Sequence, residues 1–277
     1  MTPIRPKFSN PPLIERAISV HFRELSGFSV GDFGLFWTRI ISEFPISETA
    51  ERTAPIIEQF ESFRPPLASF AVVPFPALPR AFFRNPAAGE LVQVQTDRFT
   101  FNWLKTGPEN PYPHSEATIE RFFKLLLMFE QFANERGFGE LEYLQCELTN
   151  VNIVPIHDVG EGFADVATVI KLPDLARPCP SLRLEHQTVG SDHVILDDDG
   201  QKIGRVRTLG QPAMRTSDGD LGYRLDITAR GAPIGRGREG INAFFDHAVS
   251  AINGVFLASI TQTGRRFWGE YDGDSIQ

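Results

Sequence analysis

The side chains best able to hold a metal or carry a nucleophile are six histidines and two cysteines. Their spacing decides what they can do. His21, His114, His157, His186, His193 and His247 form no H-x-x-x-H or H-E-x-x-H pair, so no helical zinc site is written in the chain. Glu185-His186 and Asp192-His193 fall on two short runs that read as neighbouring strands. His186, Asp192 and His193 are therefore the candidates for a divalent-metal site. Surface residues beside a hairpin are the plainer reading of the same positions, and no metal is favoured. Cys146 and Cys179 lack C-x-x-C spacing and read as reduced, buried thiols. There is no G-x-S-x-G, and neither cysteine lies in an activating motif. No catalytic set can be assigned, and whether the chain is an enzyme stays open, with the balance toward none.

Gly235-Arg236-Gly237-Arg238-Glu239-Gly240 fits G-x-G-x-x-G between a strand and a helix, the context that dinucleotide binding needs. Gly235, Gly237 and Gly240 would allow a close approach of a phosphate, and Arg236 and Arg238 would hold it at the helix N-terminus. Against this, GAPI (231–234) separates the motif from its strand. Residues 221–230 also alternate as an antiparallel, half-exposed strand does. A flexible lead-in to the helix is preferred, and no cofactor is expected. Asp197-Asp198-Asp199-Gly200 reads as a hairpin turn, since the carboxylate spacing of a calcium loop is missing. Phe99, Phe101 and Trp103 share one face of a strand and could stack single-stranded bases. Their flanking charges, Asp97, Arg98 and Lys105, are barely positive, and the helix that follows needs an apolar strand to pack on. Core packing is the better reading.

These residues must be positioned by recurring elements. Residues 13–22 read as a strand through their β-branched content. Phe33, Phe36, Trp37, Ile40, Ile41 and Phe44 form one helical face over 29–45, with Ser29 as cap and Pro45 as stop. Residues 53–63 are a possible strand, and the prolines of 64–80 mark an irregular connection. Strands follow at 80–85 and 90–95. The apolar set then moves from even to odd positions, which places a tight turn at Thr96-Asp97-Arg98 before the strand holding Phe99. The spacing predicts a helix over 115–136, with Ser115 as N-cap and Gly137 just past its end, then a strand at 141–154. Residues 155–180 read as a linker or lid. Strands near 182–189, 192–197, 201–208 and 221–230, a helix over 239–262 and a strand at 265–271 complete the chain.

The expected architecture is α+β: two antiparallel strand meanders, each packed by a long helix, with a possible internal duplication. The units are 1–155 and 181–277, joined by the linker 156–180. A total of 24 phenylalanines against 4 tyrosines and 3 tryptophans points to a Phe-rich core. The formal net charge is −8, with neither half basic, which argues against general affinity for nucleic acid. Nine arginines lie between Arg205 and Arg266, so a local basic patch remains open. The most apolar window, 65–83, is broken by prolines, and the first residues carry no apolar signal core. No membrane association is expected, and a cytoplasmic location is.

Four segments carry a resemblance: PPLIERAISVHF (11–22), LVQVQTDRFTFNWLK (91–105), Tyr112-Pro113 and FFKLLLMFEQF (122–132). Together they resemble a family of bacterial proteins described only as sporadically distributed and of unknown function. The likeness covers most of the chain in length and order, and the second half matches in general plan alone. The family has no assigned catalytic residues, so none carry over. Sporadic distribution implies horizontal transfer, which often accompanies toxin–antitoxin or phage-defence cassettes. The expectation is a non-enzymatic, macromolecule-binding protein with a protein partner, an accessory or antitoxin-like subunit of a mobile or phage-defence operon. The alternatives are a metal- or nucleotide-dependent enzyme using 185–193 or 235–240, and a single-stranded nucleic-acid binder.

Overall fold

Ile18, Val20 and Phe22 are buried on one side of an extended segment, while Ala17, Ser19 and His21 turn to the other. This period of two makes β2 (Leu13–Phe22) a strand. In a computed structural model describing residues 6–60, 78–107, 110–173 and 181–271, β2 is the middle strand of a nine-stranded sheet. A short β1 (Lys7–Phe8) precedes it. After it come α1 (Val30–Ile40), β3 (Ile46–Ala50), β4 (Arg80–Asn85), β5 (Glu90–Gln95), β6 (Arg98–Leu104), α2 (His114–Glu135) and β7 (Tyr143–Pro155). A single turn, α3 (Ile156–Val159), and a 3-10 turn at Phe163–Thr168 lead to β8 (Val189–Leu196), β9 (Lys202–Met214) and β10 (Leu221–Gly231). The chain then forms α4 (Gly237–Ser259), α5 (Gln262–Phe267) and β11 (Glu270–Tyr271), and β11 pairs with β1.

The protein is α+β. The sheet order is β3-β4-β5-β6-β2-β7-β10-β9-β8, with every neighbouring pair antiparallel. Both expected meanders are present, but they are joined edge to edge. β7 pairs with β2 on one side and β10 on the other, so residues 1–155 and 181–277 contribute to one continuous sheet.

The helices lie on one face of the sheet. α2 covers β6 and α4 covers β7, β9 and β10. Phenylalanines fill the space between: Phe36 of α1 meets Phe129 of α2 edge-on at 5.2 Å, and Phe99 of β6 stacks on Phe129 at 5.3 Å. Phe122 of α2 meets Phe245 of α4 at 5.7 Å, so the rings of the two halves form one core. α4 has the length and composition of a membrane span, yet its Ile241, Phe244, Phe245, Ala248 and Ile252 are buried against the sheet. Ser29 caps α1 as expected, its N–H and Oγ both meeting the Asp32 carboxylate at 2.9 and 2.6 Å. The turn at 96–97 and the left-handed Gly137 after α2 also stand as expected.

Other expectations are corrected. Ser115 does not cap α2. The helix begins one residue earlier, and the Ser115 hydroxyl is bonded to the Tyr112 hydroxyl at 3.1 Å. Residues 182–188 form no strand. β8 starts at Val189 opposite Gly210, so of the two runs expected there only the second is a strand. The strand expected at 265–271 is reduced to Glu270–Tyr271, because the Thr261 hydroxyl accepts from the Gly264 N–H at 2.9 Å and nucleates α5, which takes in residues 265–267. The 64–80 connection lies outside the described residues except at its end, as do Cys179 and part of the 155–180 segment.

Candidate peptide-binding face

The polar positions of the central strands fall into rows on the face away from the helices. Gln95 lies opposite Arg98, Arg98 opposite His21, and His21 opposite Gln145. These four form one row across β5, β6, β2 and β7. The next row runs Gln93, Thr100, Ser19, Glu147, Arg230 and Arg205. Each alternates along its strand with a core residue such as Val94, Phe99, Val20 or Cys146, so the pleat that buries one set must present the other.

Residues 51–60 cross this face. The expected strand at 53–63 is not formed over the described part, because its backbone bonds to side chains of the sheet rather than to another strand. The Thr53 N–H donates to Gln95 Oε1 at 2.8 Å, and Gln95 Nε2 donates to the Thr53 carbonyl at 3.4 Å. Arg98 Nη2 donates to the Ala54 carbonyl at 3.3 Å. Gln145 Nε2 donates to the Ile56 carbonyl at 2.7 Å, and its Oε1 accepts from the Glu58 N–H at 2.9 Å. Further along, Arg205 pairs with the Glu58 carboxylate, reaches the Gln59 carbonyl at 3.4 Å and lies 5.3 Å above the Phe60 ring. At the other end Arg52 donates to Asp97 at 2.8 Å and to Glu24 at 3.1 Å.

The spacing explains the fit. Gln95 and Gln145 are three strands apart, about 14 Å at about 4.8 Å per strand, and five extended residues from Thr53 to Glu58 advance about 16 Å. A primary amide carries both donors and an acceptor, so each glutamine completes both polar groups of a peptide backbone. Gln95 and Gln145 are each 1% exposed, so these amides are committed to the crossing segment. The apolar side chains of that segment point outward: Ile56 is 47% exposed and Ile57 44%.

Most of the positive charge on this face is already matched. Arg230 pairs with Glu147, Arg207 with Asp192 at 2.8 Å, Arg224 with Asp226 at 2.8 Å and Arg84 with Glu48 at 2.6 Å. His21, in the floor, finds no hydrogen-bond partner for either ring nitrogen, and its nearest carboxylate oxygen, on Glu147, is 4.0 Å away. Burial and the adjacent Arg98 pull its pKa down to about 4, against the opposing pull of Glu147 and Asp97. His21 is therefore neutral at neutral pH.

The residues singled out for chemistry lie elsewhere and do not converge. Among the described residues no group of three or more histidine, cysteine or carboxylate side chains could hold a metal ion. Asp192 is held by Arg207, exposed His193 lies opposite Val206 in β9, and His186 precedes β8 with its ring 6.4 Å from Phe163. The cross-strand metal grouping of His186, Asp192 and His193 is corrected on this geometry. Gly235, Arg236, Gly237 and Arg238 line a depression of about 560 Å³. β10, the strand before them, is antiparallel to both neighbours, unlike a dinucleotide-binding strand. Arg238 there is paired with Glu130 at 2.8 Å, and Gly240 packs against the backbone of Gly235. Phe99, Phe101 and Trp103 are buried at 0, 1 and 3% exposure, so they offer no stacking surface. Cys146 is also buried, and burial pushes its thiol pKa up, away from the thiolate.

Comparison with protein-family models, curated proteins and solved structures finds no match to this chain. Nothing in the sequence singles out Gln95 and Gln145, and Arg205 is marked there only as one member of a run of arginines. Their signal is a polar residue alternating with core residues. That signal is common to any half-exposed strand, and only the register aligns the two glutamines.

Proposed function

We propose that the protein is a protein-binding protein that captures an extended segment of a partner on the polar face of its sheet. The observation that supports this reading is the mode of contact with residues 53–59: paired side-chain amides and arginines grip the main chain, while the segment's isoleucines face solvent. A segment retained for packing alone would bury those isoleucines, since each buried aliphatic side chain contributes about 1.5–3 kcal/mol. Gripping the main chain instead makes recognition nearly independent of sequence, apart from the position gripped by Arg205. There the resident segment offers Glu58 and Phe60, so the favoured partner carries an acidic residue followed two positions later by an aromatic. The matched arginines of the face leave little unpaired charge for a phosphate backbone, which supports a polypeptide over nucleic acid. An accessory or antitoxin-like role in a mobile or phage-defence operon accords with this reading.

The test is binding in trans. In the full chain, residues 51–60 are replaced by a glycine–serine linker of equal length, and a labelled peptide of sequence ERTAPIIEQF is titrated in. The expected result is saturable binding in the micromolar range, weakened at least tenfold by Gln95→Ala with Gln145→Ala. A folded linker variant that does not bind the peptide refutes the reading.

A further inference from the structure

On the opposite, helix-covered face of the sheet a buried polar cluster breaks the apolar pattern. Arg16 of β2 shares the face of Ile18, Val20 and Phe22, and it is 2% exposed. Its neighbours across the strands are Trp103 and Asn150. The Arg16 Nε donates to Asn150 Oδ1 at 2.8 Å, and its guanidinium lies 5.0 Å above the ring of Tyr112. The Nη1 nitrogen is buried and has no hydrogen-bond partner. A buried guanidinium is costly unless its donors are satisfied, so an unmet N–H at this depth calls for an acceptor.

Arg16 lines a cavity of about 500 Å³. One part of the wall is polar: Asn150, Asn152, Tyr112 and Ser115. The other is apolar, with Leu13 and Phe8 from the N-terminal strands and Phe256 from α4. The polar side chains are held in place by the fold. Asn152 Nδ2 donates to the Leu225 carbonyl at 3.1 Å, and the Tyr112 and Ser115 hydroxyls bond each other. The Trp103 indole N–H anchors the approach to Tyr112 by donating to Asn110 Oδ1 at 3.1 Å.

The loop that enters α2 is strained where it meets the cavity. His114, which lines it, has φ of 64°, the left-handed region that non-glycine residues avoid. The first turn of α2 supplies Ser115 and Glu116 to the wall, and no side chain caps that helix end. The charged groups facing the cavity are Arg16, Lys7, His114 and Glu116. Burial works against the charge of Arg16, Tyr112 and to a lesser degree Glu116 support it, and the positive end of the α2 dipole adds to the cationic side.

From this we infer that the cavity is a binding site for a small oxyanion, a carboxylate or phosphate monoester, carried on a flat apolar body. The oxyanion accepts from Arg16 Nη1, and the body rests on Leu13, Phe8 and Phe256. Planar guanidinium donors match carboxylate and phosphate oxygens, and the apolar wall selects against the bare ions. The site is independent of the peptide-binding face and does not rest on it.

Calorimetric titration of the full chain with phenylacetate, phenyl phosphate, acetate and inorganic phosphate tests the inference. One of the two aryl anions should bind saturably and at least tenfold more tightly than the bare ions, and which one does so identifies the head group. Arg16→Met should weaken that binding at least tenfold, the scale of a hydrogen bond to a charged group. Should Arg16→Met fail to fold, arginine side-chain NMR of the wild-type chain decides the matter. The Arg16 Nε resonance must shift saturably with the aryl anion. No shift of that resonance at millimolar aryl anion, or unchanged affinity in a folded Arg16→Met, overturns the site.

Discussion

Replacing His21 by glutamine tests the electrostatics of the polar floor, because it removes a titrating group while keeping a polar side chain in the row. His21 is faced by Arg98 from β6, Glu147 from β7, Arg230 from β10 and Asp97 from the β5–β6 turn. Burial is the largest effect and the arginines add to it, so the folded pKa is about 4. An unfolded histidine titrates near 6.5. Between these values the unfolded chain binds a proton that the folded chain refuses, so stability falls as pH drops through that window. The His21 contribution lost between about pH 7 and pH 4.5 is about 2 kcal/mol, from a shift of about 2.5 units at 1.36 kcal/mol per unit with the window incompletely crossed. Carboxylates elsewhere titrate alike in both proteins and cancel in the difference. Urea unfolding of wild type and His21→Gln across this pH range is the assay. The wild type should lose about 2 kcal/mol more than the variant as the pH falls. Parallel stability–pH curves for the two proteins would show that His21 is not held neutral by its surroundings.

Trp103→Ala should cost about 3–5 kcal/mol in urea unfolding, since the indole is buried and its N–H anchors Asn110; a loss below about 1 kcal/mol would place it outside the core. Gly240→Val should lower thermal stability by an amount equivalent to about 1–3 kcal/mol, because a Cβ at that position would lie 2.6 Å from the Gly235 carbonyl carbon. An unchanged melting temperature would show that the 235–240 loop moves aside freely.

Much of the fold was legible in local pattern. The alternation in 13–22 and the phase change at 96–98 mark strands and a turn, because a pleat turns successive side chains to opposite faces. The Phe122, Leu126 and Phe129 spacing marks α2 because a helix repeats every 3.6 residues. Local competition hid other features. Ser115 has the chemistry of an N-cap, but its hydroxyl is held by Tyr112, a choice made by the loop's path. The run 265–271 alternates well enough for a strand, yet the Thr261 cap upstream draws its first three residues into α5 and leaves only Glu270–Tyr271 as strand.

The α+β class, the aromatic core and the apolar strand positions all follow from side-chain period and hydrophobicity within single elements, so they can be read along the chain. Tertiary structure alone decided that the two halves share a sheet, because pairing of β7 with β10 is a long-range register that no local pattern encodes. It also decided both candidate sites. Gln95 and Gln145 are 50 residues apart in sequence but fall in one row because β6 and β2 are inserted between their strands. Arg16 and Asn150 are separated by 134 positions, and they become a buried hydrogen-bonded pair because β2 and β7 are neighbours. Chemistry here is assembled across strands, where distance along the chain carries no information about distance in space.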